Sequence, residues 1–227
     1  NKFSYNKEIQ ELNAEGNVNI IDQLNEIKIN SEVVEYNQKE EKFYLKNKAT
    51  INYKNNYTLY GEDIIYMKNE NKIFSKKKIK VIDSFNNTLL MDNFEIDQLQ
   101  NILSGNNAVF KDNISNSYSI EKIKFNLNSK EMIGKDFYIN IGDNNIEKDL
   151  YRFKGRSIID DINETVISKG VFTTCKKRDG CPPWRIEAEN ITHDKKKKLM
   201  NYKNAWLKIY DVPVFYFPKF FHPDPSV

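Results

Sequence analysis

The sequence predicts an all-β chain made of stacked antiparallel β repeats of about 30 residues, an elongated β-jellyroll. Three observations predict it. Apolar and polar residues alternate along most of the chain, and helical periodicity is almost absent. Clusters of Asn, Asp, Gly and Lys interrupt the alternation about every 8–12 residues, the spacing of turns in a sandwich or solenoid. The alternating segments also recur at a nearly constant interval. Hydrophobic residues at 39% are sparse while aromatics at 13% are plentiful, a mix suited to thin sheets with large inward side chains and wet outer faces.

Taken in order, Phe3-Ser4-Tyr5 and Val18-Asn19-Ile20 open the series, about 31 residues before their next copies. Ile27-Lys28-Ile29, Val34-Glu35-Tyr36 and Ile51-Asn52-Tyr53 follow, each placing apolar side chains on one face. Val34 to Ile64 is 30 residues, Ile64 to Phe94 is 30, and Phe94 to Ile123 is 29, with Ile191 closing this set. A second set tracks the first: Ile51, Val81, Phe110, Ile139 and Leu207, its first three steps being 30, 29 and 29. A single unit cannot bury its apolar face alone, so stacked units form a continuous inner strip. The step from Ile123 to Ile191 is 68 residues. The polar, weakly alternating residues 142–169 inside it predict one irregular unit plus a surface loop.

The formal charge of +3, against 35 basic and 32 acidic residues, gives no basic excess that argues for nucleic acid. The lysines at 76–78 and 195–198 read as solvated turn residues, with an anion-contacting patch as the alternative. No apolar run approaches the roughly 18–20 residues that a membrane helix needs. No signal peptide is visible, and the break-off at Pro223-Asp224-Pro225-Ser226-Val227 predicts a piece of a longer chain.

Few residues suggest chemistry. Cys175 and Cys181, with distant His193 and His222, make a poor zinc set, and C-x5-C is not redox spacing. His193-Asp194 reads as a strand end followed by an Asx turn. No Gly-rich phosphate loop and no acid–base or nucleophile set is present, so no enzyme, metal or cofactor is expected. The repeated apolar positions leave two readings open: an ordinary closed core, or two sheets splayed along one edge to leave a slot.

Residues 170–218 carry a resemblance. Val171-Phe172-Thr173-Thr174-Cys175, Trp184-Arg185-Ile186-Glu187-Ala188, Ile191-Thr192-His193-Asp194, Asn204-Ala205 and Val212-Pro213-Val214-Phe215-Tyr216-Phe217-Pro218 occur in that order. Together they resemble the end of the N-terminal periplasmic domain of the LptD (OstA/Imp) family of lipopolysaccharide-assembly proteins. Upstream, Gly16-Asn17-Val18 and Val34-Glu35-Tyr36-Asn37 resemble the OstA-type repeat shared with the LptA bridge proteins.

The resemblance implies a V-shaped jellyroll over residues 1–209. A proline-rich linker and the start of an outer-membrane β-barrel, absent here, would occupy residues 210–227. It implies a place on the periplasmic side of the outer membrane of a Gram-negative bacterium. Lipopolysaccharide would arrive from an LptA-like bridge protein by sheet addition at an edge formed by Phe3, Tyr5, Val18 and Ile20. Its acyl chains would lie along Val34, Ile51, Ile64, Val81, Phe94, Phe110, Ile123, Ile139, Ile191 and Leu207. Pro213 and Pro218 would keep a barrel seam loose, and an LptE-like plug lipoprotein would be met through the barrel.

In an oxidising periplasm Cys175 and Cys181 suit a local disulfide. The family pairs the cysteine at the Cys175 position with the barrel domain; both pairings, and free thiols, stay open. Two rivals are a β-solenoid that binds no lipid and a stand-alone bridge protein of the same repeat family.

Overall fold

Alternation becomes strand wherever it was expected. The computed structural model describes residues 2–113, 116–143, 148–175 and 183–224. Among them sixteen strands and no helix occur: β1 (Lys2–Asn6), β2 (Glu11–Asp22), β3 (Ile27–Asn37), β4 (Lys42–Tyr53), β5 (Tyr57–Met67), β6 (Lys72–Ser75), β7 (Ile79–Asp83) and β8 (Thr88–Asp97) come first. Then follow β9 (Ile102–Lys111), β10 (Ser117–Asn126), β11 (Met132–Asp143), β12 (Lys148–Asp160), β13 (Glu164–Thr173), β14 (Trp184–Asp194), β15 (Leu199–Ile209) and β16 (Val212–Pro223). Their order in the sheet is their order in the chain, except that β6 and β7 share one position between β5 and β8. The pairs with a described register are all antiparallel. Two compact units make up the chain, Asn1–Ala108 and Val109–Val227.

The strands are longer than the sequence suggests. Ile27-Lys28-Ile29 and Val34-Glu35-Tyr36 are two halves of β3, not two strands. Residues read as strand breakers instead bend the strand. Gly16 (φ 104°), Asn47, Asp63, Asn93, Asn107, Asp136, Lys169 and Asn204 lie inside strands with left-handed backbone, the last seven at φ 48–60°. Asn, Asp and Gly tolerate that conformation best, and in a ladder it produces a bulge and a sharper local twist. The register slips between Glu15 and Val18, between Ser31 and Val33, and between Leu45 and Lys48. The bends obey the repeat: Gly16 to Asn47 is 31 residues, Asp63 to Asn93 is 30, and Asn107 to Asp136 is 29.

Turns are anchored by short polar side chains. Asn6, Asp22, Asn37, Asp97 and Asp194 each accept a backbone N–H two or three residues on, at 2.9–3.2 Å. Gln10, Glu26, Glu41, Asn71, Asn101 and Lys198 end their turns in left-handed backbone. Turns one repeat apart are then joined: Gln38 N–H donates to Gln10 O, Lys68 N–H to Glu41 O, Gln98 N–H to Asn71 O, and Lys54 N–H to Glu26 O.

Each unit has its own core. In the first, Ile27, Ile29, Leu45, Ile51, Leu59, Ile64, Tyr66, Met91 and Phe94 are shut from solvent. In the second, Ile123, Ile158, Ile167 and Ile191 lie in one cross-strand row, with Gly134 between Ile123 and Ile158. A Cβ on Gly134 would come within 2.7 Å of Ile158 Cγ2 and 2.9 Å of Ile120 Cγ2, so the row is filled at that point. Residues 142–169, expected to be an irregular unit and a loop, instead supply the end of β11, all of β12 and the start of β13 as ladder strands, with 144–147 outside the described residues.

Candidate functional site

The ten residues expected to line a slot divide evenly between the units. Val34, Ile51, Ile64, Val81 and Phe94 belong to the first, and all are buried. Val34 faces Leu45 and Leu45 faces Ile64 on successive strands; Ile51 faces Leu59 and Leu59 faces Val81. Ile123, Ile139 and Ile191 are buried in the second unit, while Phe110 and Leu207 are half-buried. Ile139, Phe153, Phe172, Ile186 and Leu207 form another cross-strand row there. Leu45 and Leu59 lie on β4 and β5, the strands that carry Ile51 and Ile64, and sequence reading took one inward position per strand where each long strand has several. Phe153 and Phe172 lie on β12 and β13, between the strands of Ile139 and Ile191.

In the first unit the inner face is closed by a polar seam. The Tyr66 hydroxyl donates to Asp22 Oδ2 at 2.7 Å and accepts from Asn25 Nδ2 at 3.0 Å. Lys68 Nζ lies 3.9 Å from the same carboxylate. β2 and β5 are three strands apart, about 14 Å at about 4.8 Å per strand, so these groups meet across the interior and not along the sheet. The bends at mid-strand bring them together, by folding each strand so that the turns at its two ends approach. One repeat further on, Lys54 Nζ reaches Asn101 Oδ1, and the Tyr53 hydroxyl neighbours Gln98. The offset is again three strands.

Burial alone would raise the Asp22 pKa, but Tyr66, the Asn25 backbone and amide, and Lys68 more than offset it and hold the carboxyl below its ordinary value. Burial, then the Asp22 carboxylate, pushes the Tyr66 hydroxyl upward; burial pushes Tyr53 up to about 12.

The two ends of the strand series differ. β1 is exposed along its whole length, with Phe3 71% and Tyr5 44% accessible. It covers only Glu11–Glu15 of β2, so Val18 and Ile20, half-buried, have β3 as their described ladder partner and an open edge on the other side. At the far end, within residues 210–227, expected as a proline-rich linker and the start of a barrel, Val212–Pro223 form β16, laid along β15. Pro213 stands opposite Lys208 where the register slips, and Pro218 lies between the pairs Ala205–Phe217 and Lys203–Lys219, across from the bend at Asn204. Neither proline therefore has to donate to the ladder at a regular position. Val212, Val214, Phe215, Tyr216 and Phe221 are exposed. Arg185 bonds Glu187 at 2.7 Å and Asp211 at 2.5 Å, and Lys208 bonds Glu187 at 2.6 Å, fastening the β15–β16 turn. Burial would raise the Glu187 pKa, but Lys208 and Arg185 outweigh it and the net direction is down.

Inside the second unit, Phe172, Tyr202, Phe220 and His222 pack ring against ring, and the Tyr202 hydroxyl sits 2.9 Å from His222 Nε2. Asp194 forms the expected Asx turn with Lys196 and Lys197, while His193 Nε2 lies 2.9 Å from Asp224 Oδ2. Among the described residues Cys175 has no disulfide partner, and its Sγ lies 3.8 Å from the Trp184 carbonyl. Cys181 lies outside the described residues, and its pairing stands as a proposal. Lys77 is tied to Asp63 at 2.7 Å and Lys195 to Asp160 at 2.8 Å. Beside Lys77, an open concavity of about 550 Å³ is lined by Lys48, Thr50, Tyr60 and Lys78 among others. Among the described residues no group of three or more His, Cys, Asp or Glu could hold a metal, and no helix is long and apolar enough to cross a membrane.

No protein-family model matches the chain. Curated proteins do. The chain is 30% identical over 129 residues to the LPS-assembly protein LptD of Shewanella denitrificans, covering 56% of this chain and 16% of that protein. It is 33% identical over 100 residues to LptD of Haemophilus influenzae, 40% of this chain and 12% of the relative. It is 30% identical over 89 residues to LptD of Yersinia pseudotuberculosis, 35% and 11%. The matches thus relate this chain to LPS-assembly proteins over a small part of their length.

Proposed function

We propose that this chain carries lipopolysaccharide through the periplasm to the outer membrane and performs no catalysis. The observation that carries the reading is the pair of inner faces lined by apolar rows at a constant repeat, in a chain similar to LPS-assembly proteins. Acyl chains lie between the bent halves of the strands, against Val34, Ile51, Ile64, Val81 and Phe94 in one unit and Phe110, Ile123, Ile139, Ile191 and Leu207 in the other. Each buried CH2 contributes about 0.8 kcal/mol, so a lipid with several chains is held without strong polar contacts. The open edge of β1 and of the second half of β2 receives an LptA-like bridge protein by strand addition. At the other end β16, with Pro213 and Pro218, leads the lipid toward a barrel and its LptE-like plug. The prolines keep that passage from zipping shut, and Cys175 and Cys181 form a local disulfide.

The test is photo-crosslinking in cells. A photoreactive residue at Phe94 or Ile139 labels lipopolysaccharide, and one at the exposed Lys80 or Lys124 does not. Equal labelling at both sets would remove the inner faces as the lipid path and leave a solenoid that binds none.

A further inference from the structure

The interior of the first unit is bounded almost everywhere by β ladders. Among the described residues, a different kind of boundary is the line where side chains of two rows of turns meet. One row holds the turns at residues 23–26 and 54–56, the other those at 38–41, 68–71 and 98–101. Among the described residues, the backbone hydrogen bonds of these turns run along each row: Gln10 to Gln38, Glu41 to Lys68, Asn71 to Gln98, and Glu26 to Lys54. None passes from one row to the other. What crosses is side chain only: Tyr66 to Asp22 and Asn25, Lys68 to Asp22, and Lys54 to Asn101.

We propose that this seam is the entry site for acyl chains, and that Asp22, Asn25, Tyr66 and Lys68 are the latch that keeps it shut when empty. The inference rests on the lipid reading above and adds the place of entry. Three features make the seam the line that parts. Side-chain bonds can be exchanged for water one at a time, whereas a ladder of ten pairs such as that between β4 and β5 breaks only together. Each polar partner stands at a turn beside solvent, so opening hydrates it and leaves no buried charge behind. Immediately inside lie Ile27, Tyr53, Ile64 and Ile73, all essentially unexposed, so a parted seam presents apolar surface to the chains. The crossing also recurs one repeat on: Asp22 to Tyr53 is 31 residues and Tyr66 to Gln98 is 32, Tyr53 neighbours Gln98 without a hydrogen bond to its Oε1, and Lys54 bonds Asn101 beside them. A lipid can therefore enter sideways and advance level by level without threading from an end. Asp22 positions Tyr66 and Asn25; neither it nor they are asked to bind lipid.

The experiment uses the whole chain with a photoreactive phenylalanine analogue at Phe94 and purified lipopolysaccharide as probe, and it measures the rate of labelling. Tyr66→Phe, which loses the hydroxyl and keeps the ring, is expected to label several-fold faster than the parent. Asn25→Cys with Lys68→Cys, in a Cys175→Ser, Cys181→Ser background, is then bridged by a bifunctional thiol reagent that reductant cleaves. The bridged chain is expected to label at least an order of magnitude more slowly, with full recovery on cleavage. Circular dichroism confirms that each form is folded. A bridged chain that labels as fast as its cleaved form overturns the seam as the entry while leaving the lipid reading in place. No labelling in any form, cleaved or parent, overturns the lipid reading and the seam with it.

Discussion

Replacing Tyr66 by Phe isolates the strongest contact of the first unit's seam. The hydroxyl donates to the Asp22 carboxylate at 2.7 Å and accepts from Asn25 at 3.0 Å, and Asp22 is buried. A hydrogen bond to a charged group is worth about 1.5–3 kcal/mol, and Phe fills the ring's volume, so we expect a loss of about 2 kcal/mol at neutral pH. The loss stays near that figure because Lys68 and the Asn25 amide still face the carboxylate. The pH dependence has a definite sign. The folded-state pKa of Asp22 lies below its unfolded value of about 3.9, so its stabilisation is fully present above that pH and is lost as pH falls through the folded value. Removing the hydroxyl removes a group that lowers this pKa, so the variant has less to lose on acidification. The gap between parent and variant should therefore narrow to about 1 kcal/mol or less once Asp22 is protonated in both, leaving a neutral hydrogen bond. Urea unfolding followed by far-ultraviolet circular dichroism at neutral and acid pH measures both quantities. A neutral-pH loss under about 0.5 kcal/mol, the size of an ordinary surface substitution, or a gap unchanged by acid, refutes the reasoning.

Further perturbations probe the other parts. Ile64→Ala empties a fully buried site between Leu45 and the interior and should cost about 2–5 kcal/mol in urea unfolding. Gly134→Ala forces a methyl against Ile158 and Ile120 and should cost about 1–3 kcal/mol, with Ile158→Val restoring part of it. Phe3→Lys puts a charge on the exposed first strand and should weaken binding of an LptA-like partner in a pull-down, while changing stability by less than about 0.5 kcal/mol. Pro213→Ala with Pro218→Ala in the full-length protein should slow delivery of lipopolysaccharide to the cell surface; delivery at the parental rate would reduce both prolines to spacers.

The sequence made the repeat legible and hid how each repeat is bent. Val34, Ile64 and Phe94 stand 30 residues apart because each occupies the same inward position one level on, and burial leaves little choice of side chain there. Asp63 and Asn93 obey the same period, as do Gly16 and Asn47, but such residues read as strand ends, since Gly, Asn and Asp favour turns. Only the ladder shows the chain pairing on both sides of them. Leu45 and Lys48 both pair with β5 in one continuous direction, where a strand end would have reversed the chain into a hairpin. Residues 142–169 were misjudged for a related reason. Ile158 and Ile167 keep the inward row going, but Lys154-Gly155-Arg156-Ser157 between the apolar positions diluted the alternation.

The seam was beyond reach of pattern reading for a different reason. Asp22 and Tyr66 are 44 residues apart, about one and a half repeats, so they never align when the chain is cut at its period. A periodic sequence shows which residues are equivalent. It does not show which inequivalent residues meet when a bent sheet closes on itself. That information lies in the bends, because the angle they impose decides which turn arrives opposite which. With β2 set against β5 and β4 set against β8, the offset is three strands both times. The left-handed residues at mid-strand thus decide more than local twist: they select the polar pairs that can close the interior, and so the line along which it can open.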